Sequence, residues 1–299
     1  MTVERACPVC NSRNYLPFAD ERIDPGRVGI LTYASRKPPE FMCLRLVRCT
    51  NCDLVYAPSP PAEEFLNTAY TGAGFDSGLE ALAAAKTYAD ALKVHLKGLI
   101  GRNAAVDVGA GSGPLLPFLQ GQGFKPVIGI EPSRAAIDAA RPAVRPLLRE
   151  GMFSASMLNG ENPSLICSFM TLEHLRDPGD FVGIAHSLLE PGGAIAVAVH
   201  NWRAPLNRLL GLHSPIIDVE HLQLFSSNAL RELLQRTGFE RIKVSTIRNA
   251  YPLRYWLRLA PLPASGKRCI VGLLERFGLG EQNFALNVGN MFAVGIKRG

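Results

Sequence analysis

Apolar and polar positions alternate in blocks through the middle of this 299-residue chain. An apolar run over 104–107 ends in Asp107, glycines stand at 109, 111 and 113, and an apolar segment at 115–119 has helical spacing. The runs at 127–130 and 194–199 are unbroken by polar residues, as in strands buried inside a parallel sheet. Residues 181–189 and 229–237 read as helices. Ser226 or Ser227 suits the N-cap of the second, and Gly238 its end. The order strand, glycine turn, helix, strand predicts an α/β fold with a doubly wound sheet, whose ligands bind beyond the carboxyl ends of the strands.

The glycine turn is the first candidate for chemistry. Glycines let a backbone approach a ligand closely, and a helix start beyond them offers unpaired N–H groups. Glu131, at the end of the second run, is placed to accept hydrogen bonds from ribose hydroxyls. The order Asp107, Gly109, Gly111, Gly113 resembles the signature Asp/Glu-x-Gly-x-Gly-x-Gly of class I S-adenosylmethionine-dependent methyltransferases. The rival nicotinamide fingerprint needs glycine at 114, where Pro114 stands. The resemblance continues through Leu172-Glu173-His174 to Asp177-Pro178, and through Glu190-Pro191-Gly192-Gly193. It spans about 78–247 and implies a Rossmann-like, doubly wound, seven-stranded sheet with S-adenosylmethionine as cofactor. The implied contacts are Asp107, Gly109, Ala110, Gly111, Gly113, Glu131, Pro132 and Phe169. After the third strand the family often places an acid; here Met152 and Phe153 offer only an apolar adenine wall.

Cysteine usage adds a second element. Cys7 and Cys10 form one Cys-x-x-Cys pair, and Cys49 and Cys52 another, a set able to close a tetrahedral structural zinc. Cys43, Cys167 and Cys269 lack partners at ligand spacing and read as apolar packing residues. The knuckle, followed by Asp53-Leu54-Val55-Tyr56 and then Pro58, Pro60 and Pro61, resembles that of bacterial small-molecule and sugar-modifying methyltransferases. The expected division is a zinc-ribbon-like module at 1–61, a cofactor-binding core at 62–247, and a C-terminal lid insertion with the last strand at 248–299. No apolar run reaches the ~18–20 residues of a membrane span, and 1–7 lack a signal core, so a cytoplasmic location is expected.

The net charge of +6 is uneven: residues 241–299 carry ten basic and two acidic side chains, leaving 1–240 slightly acidic. Nucleic acid is therefore an unfavoured partner, and ribosomal RNA methylation is the second reading of function. A non-catalytic S-adenosylmethionine-binding subunit is the third. The preferred reading is methyl transfer to a hydroxyl of a small-molecule or glycan-linked acceptor. His174, His200 and His221 fall near strand ends and are the candidate bases, His221 first. Strands are expected at 241–247 and 290–297. Between them, 251–277 mixes aromatics with arginines. It is expected to form a helical hairpin on the core, a lid over an acceptor with an anionic head and a greasy or sugar body, or a contact with a membrane or lipid-linked substrate.

Overall fold

The computed structural model describes residues 4–29, 31–34, 39–75, 78–96, 101–158, 160–260 and 264–299. Strand β4 (Ala104–Val108) is buried at every position, which requires cover on both faces of its sheet. It pairs in parallel with β5 (Val127–Glu131) on one side and β7 (Pro163–Phe169) on the other. β6 (Leu148–Glu150) and β8 (Ala194–His200) extend the parallel set. β11 (Asn283–Lys297) then joins β8 antiparallel, and β10 (Phe239–Pro252) joins β11. The resulting order, β10-β11-β8-β7-β4-β5-β6, is the doubly wound sheet that the run pattern predicts, with the seven strands that the resemblance implies. Chain direction across the sheet reverses between β4 and β7, so the glycine turn after β4 lies at the switch point where such folds bind ligands.

Alternate residues of the central strands serve opposite cores. Ala105 and Cys167 face α2 (Leu79–His95) and α3 (Leu116–Gly121), in a cluster with Tyr88, Leu92, Leu116 and Leu119. Val106 and Ile166 face α5 (Pro178–Leu188) and α7 (Ser227–Arg236), in a cluster with Val182, Leu230 and Leu233. Local sequence starts these helices. The Asp177 carboxylate accepts from the Gly179 and Asp180 N–H groups, and Ser226 Oγ accepts from the Ala229 N–H.

The cysteine-rich N-terminus forms a smaller antiparallel sheet of β1 (Tyr15–Ala19), β2 (Leu46–Cys49) and β3 (Val55–Tyr56). Its fourth strand, β9 (Gln223–Leu224), comes from far along the chain. Cys7, Cys49 and Cys52 share the apolar cluster of Val197, Val199 and Phe225, so the smaller sheet is packed into the larger. α1 (Glu63–Thr71) follows the module, α4 (Arg134–Asp138) follows β5, and α6 (Pro205–Leu210) follows β8.

The two C-terminal strands are 14 and 15 residues long, beyond the expected 241–247 and 290–297. Asn249 to Pro252 pair with Leu286 to Asn283, so much of the interruption is the far arm of one hairpin. Helices α8 (Leu253–Leu259) and α9 (Ala264–Arg276) occupy its tip. Among the described residues, no helix is long and apolar enough to cross a membrane. The side chain of Cys269 lies outside the described residues.

Candidate active site

A cavity of about 580 Å³ opens beyond the carboxyl ends of the parallel strands. Its first half is lined by Gly109, Ala110, Gly111, Glu131, Pro132, Met152, Phe153 and Phe169, eight of the ten predicted cofactor contacts. Gly109 has φ +76°, and a Cβ there would lie 2.4 Å from Thr171 Oγ1, so only glycine fits the turn. At Gly111 (φ +55°) a Cβ would meet nothing within 4 Å. Glu131 organises the turn: one carboxylate oxygen accepts from the Gly111 N–H at 2.7 Å, and the other from the Ser133 N–H at 2.8 Å. The two remaining predicted contacts, Asp107 and Gly113, are not part of the wall. Asp107 lies behind the turn, 5% exposed. Burial and the neighbouring Glu131 push its carboxyl up to about 8. Burial also raises Glu131, against the pull of its two N–H donors.

The second half contains His174, His200 and His221 together. The rings of His174 and His221 are 4.9 Å apart, and those of His200 and His221 5.3 Å. Each Nδ1 faces an oxygen. His221 Nδ1 donates to the Ile216 carbonyl at 2.9 Å, and His174 Nδ1 to the Glu220 carbonyl at 3.2 Å. His200 Nδ1 lies 3.1 Å from Glu173 Oε1, which also accepts the His200 backbone N–H at 2.7 Å. Glu173 is completely buried. Burial alone would raise its carboxyl, but the interactions with His200 outweigh it and hold Glu173 below its ordinary value. Burial lowers His174 and favours its neutral form.

Asn249, Asn290, Tyr33 and Pro39 escaped the sequence reading, whereas the aromatics of 251–277 did not. Asn249 and Asn290 are buried, with no hydrogen-bond partner for Oδ1. Isolated asparagines in apolar strands are the signal that would have marked them. Tyr251, Tyr255 and Trp256 form a cluster with ring centroids 4.7–6.4 Å apart. Tyr33 and Pro39 reach the wall from the N-terminal module, which no local pattern announces. Among the described residues, neither Lys nor Arg lines the cavity. Arg254 pairs instead with Glu281 at 2.6 Å.

The four cysteines of the paired motifs converge 45 and 39 residues apart in sequence, with Cys7 Sγ–Cys52 Sγ and Cys10 Sγ–Cys49 Sγ both 3.5 Å. These separations exclude disulfides, whose sulfurs lie at ~2.05 Å. They are close to the ~3.8 Å between thiolates around a tetrahedral zinc with ~2.3 Å bonds. Hydrogen bonding from Cys52 pulls Cys7 down to about 6, toward the thiolate a metal needs. Cys43 and Cys167 are buried apart from this set.

Comparison with known proteins agrees with this geometry. The profile of a family described as a methyltransferase domain matches residues 82–244. Among solved structures, the chain is similar to a possible histamine N-methyltransferase from Thermotoga maritima (20% identity, 74% of this chain and 92% of that one, TM-score 0.48). It is also similar to an S-adenosylmethionine-dependent methyltransferase from Archaeoglobus fulgidus (15% identity, 79% and 100%, TM-score 0.47). A third is the plantazolicin methyltransferase solved with S-adenosylhomocysteine (15% identity, 81% and 92%, TM-score 0.49). The chain matches no curated protein sequence. Because the family profile covers more than half of its length, the chain belongs to the methyltransferase-domain family and is a class I S-adenosylmethionine-dependent methyltransferase.

Proposed function

We propose that this enzyme holds S-adenosylmethionine against Gly109, Ala110, Gly111, Glu131, Pro132, Met152, Phe153 and Phe169. From there it methylates a hydroxyl of a small-molecule or sugar-linked acceptor in the histidine half of the cavity. The observation that carries this reading is the continuity of one cavity from the glycine turn to the three histidines. The cofactor bears a cationic sulfonium and ammonium, which suit a wall that carries Glu131 and, among the described residues, no Lys or Arg. Met152 and Phe153 offer its adenine an apolar surface. Bound there, the cofactor supplies an electrophilic methyl group.

The remaining tasks fall to the chain's own side chains. The acceptor hydroxyl must lose its proton as the methyl arrives. His200 takes it best, because the Glu173 carboxylate 3.1 Å from Nδ1 stabilises the imidazolium that results. His221, the first choice from sequence, rests its Nδ1 on the neutral Ile216 carbonyl. Asn249 and Asn290 are placed to read acceptor hydroxyls, and Tyr251, Tyr255 and Trp256 to cover an apolar or sugar face. A wall whose described residues include neither Lys nor Arg suits an uncharged acceptor, so RNA remains the second reading. A structural zinc on Cys7, Cys10, Cys49 and Cys52, the division at 61 and 247, and a cytoplasmic setting complete the proposal.

The test is transfer of labelled methyl to a panel of glycosides and phenols, with cofactor affinity measured by calorimetry. His200→Gln is expected to lower kcat about 10²–10⁴-fold and to leave cofactor affinity unchanged. Transfer to ribosomal RNA and to none of the small hydroxyl compounds overturns the acceptor assignment. A normal rate for His200→Gln overturns the base.

A further inference from the structure

His174 and Glu220 lie 46 residues apart in sequence, on separate loops. The fold gathers them with His221 so that one ligand-capable atom of each lies within 4.8 Å of the other two. We propose that these three side chains form a binding site for a divalent first-row transition-metal ion. This site is distinct from the cysteine cluster and opens into the acceptor half of the cavity. Two imidazoles and a carboxylate are a donor set for zinc, manganese, cobalt or iron, and three protein ligands leave coordination positions for an acceptor oxygen.

The outer hydrogen bonds point the same way. A ligating histidine commonly directs its other ring N–H to a backbone carbonyl or carboxylate, which fixes its tautomer and orientation. His221 Nδ1 lies 2.9 Å from the Ile216 carbonyl, which leaves the neutral ring's lone pair on Nε2. His174 Nδ1 lies 3.2 Å from the Glu220 carbonyl, and the Tyr70 ring packs edge-on against His174 at 6.0 Å. Asp218 lines the same end of the cavity. A dication held there would make a coordinated acceptor hydroxyl give up its proton more readily. That catalytic use rests on the hydroxyl-acceptor reading above; binding of the ion does not.

The full-length protein, dialysed into metal-free buffer, is titrated with manganese chloride and followed by calorimetry and by electron paramagnetic resonance of the free ion. Manganese favours oxygen and nitrogen donors over thiolates, so the cysteine cluster does not compete. One saturable ion per chain is expected. His174→Gln and Glu220→Gln should each weaken it at least about tenfold, with the thermal melt and S-adenosylmethionine affinity unchanged. If wild-type protein shows no saturable binding, or if both variants bind as wild type does, the site is wrong and the three side chains only brace the loops. Failure of the wild-type chain to bind S-adenosylmethionine would count against the cofactor placement and leave the manganese result standing.

Discussion

Burial, followed by repulsion from Glu131, raises the folded-state value of the Asp107 carboxyl to about 8. The proton is therefore held more tightly in the folded chain than in the unfolded one, where the ordinary value is 3.8. Stability from this group is present in full below about pH 4 and is lost as pH rises toward 8. The cofactor-free protein should lose stability over that interval, and Asp107→Asn should flatten the slope by up to about 1.4 kcal/mol per pH unit. Denaturant titrations at several pH values check this; parallel curves for the two proteins would rule it out. The glycines make a second test at the same scale. Gly111→Ala places a methyl where the backbone has no neighbour within 4 Å, so its structural cost is the left-handed strain of roughly 1–2 kcal/mol. It should fold and yet bind S-adenosylmethionine at least tenfold more weakly by calorimetry. Gly109→Val drives a side chain into Thr171 and should damage the fold as well. Sequence spacing marked both glycines alike. Only the backbone and its neighbours separate the one that faces the ligand space from the one that also packs.

Among the elements, α8 is where sequence and structure diverge most usefully. Its aromatics and arginines looked like one mixed surface, but the helix sorts them. Tyr255 and Trp256 turn into the cavity, and neither Arg254 nor Arg258 joins them. Trp256 Nε1 donates to the Phe284 carbonyl at 3.0 Å and so ties the helix to the far arm of β11. Trp256→Ala should raise the acceptor KM about tenfold, equivalent to about 1.4 kcal/mol, with cofactor affinity intact. Steady-state kinetics with an identified acceptor decide it; an unchanged KM would make α8 a packing element alone. Part of the expected lid is thus a wall of the cavity, while no described side chain of α9 lines it. The length of the hairpin was hidden because Arg248-Asn249-Ala250 interrupts the apolar run that marks its inner half. A register shift between Ile247 and Asn249 lets pairing continue regardless.

At the scale of the whole molecule, the cysteine module and the large sheet form one mechanical unit. β9 completes the smaller sheet, and Cys7, Cys49 and Cys52 sit in the same apolar cluster as β8 and α7. If the cysteines hold the proposed zinc, a strong chelator, or Cys52→Ser, should therefore lower the melting temperature of the entire chain by about 5 °C or more, in a single transition. Separate melting of a small unit, or no change at all, would show the module to be independent or metal-free. The doubly wound sheet, the helix cap at Ser226 and the glycine turn were all legible beforehand. Each depends on residues close together in the chain: a buried run needs no partner to declare itself, and a cap or turn is satisfied within a few positions. The pairing of Glu173 with His200, the gathering of His174 and Glu220 with His221, and the arrival of Tyr33 at the cavity are contacts across long loops. Their energies depend on burial and distance, which exist only once the strands have aligned. The sequence by itself determined that this chain builds a nucleotide-type turn on a doubly wound sheet. The tertiary structure decided which of its polar residues share a wall, because only packing brings distant side chains within hydrogen-bonding reach.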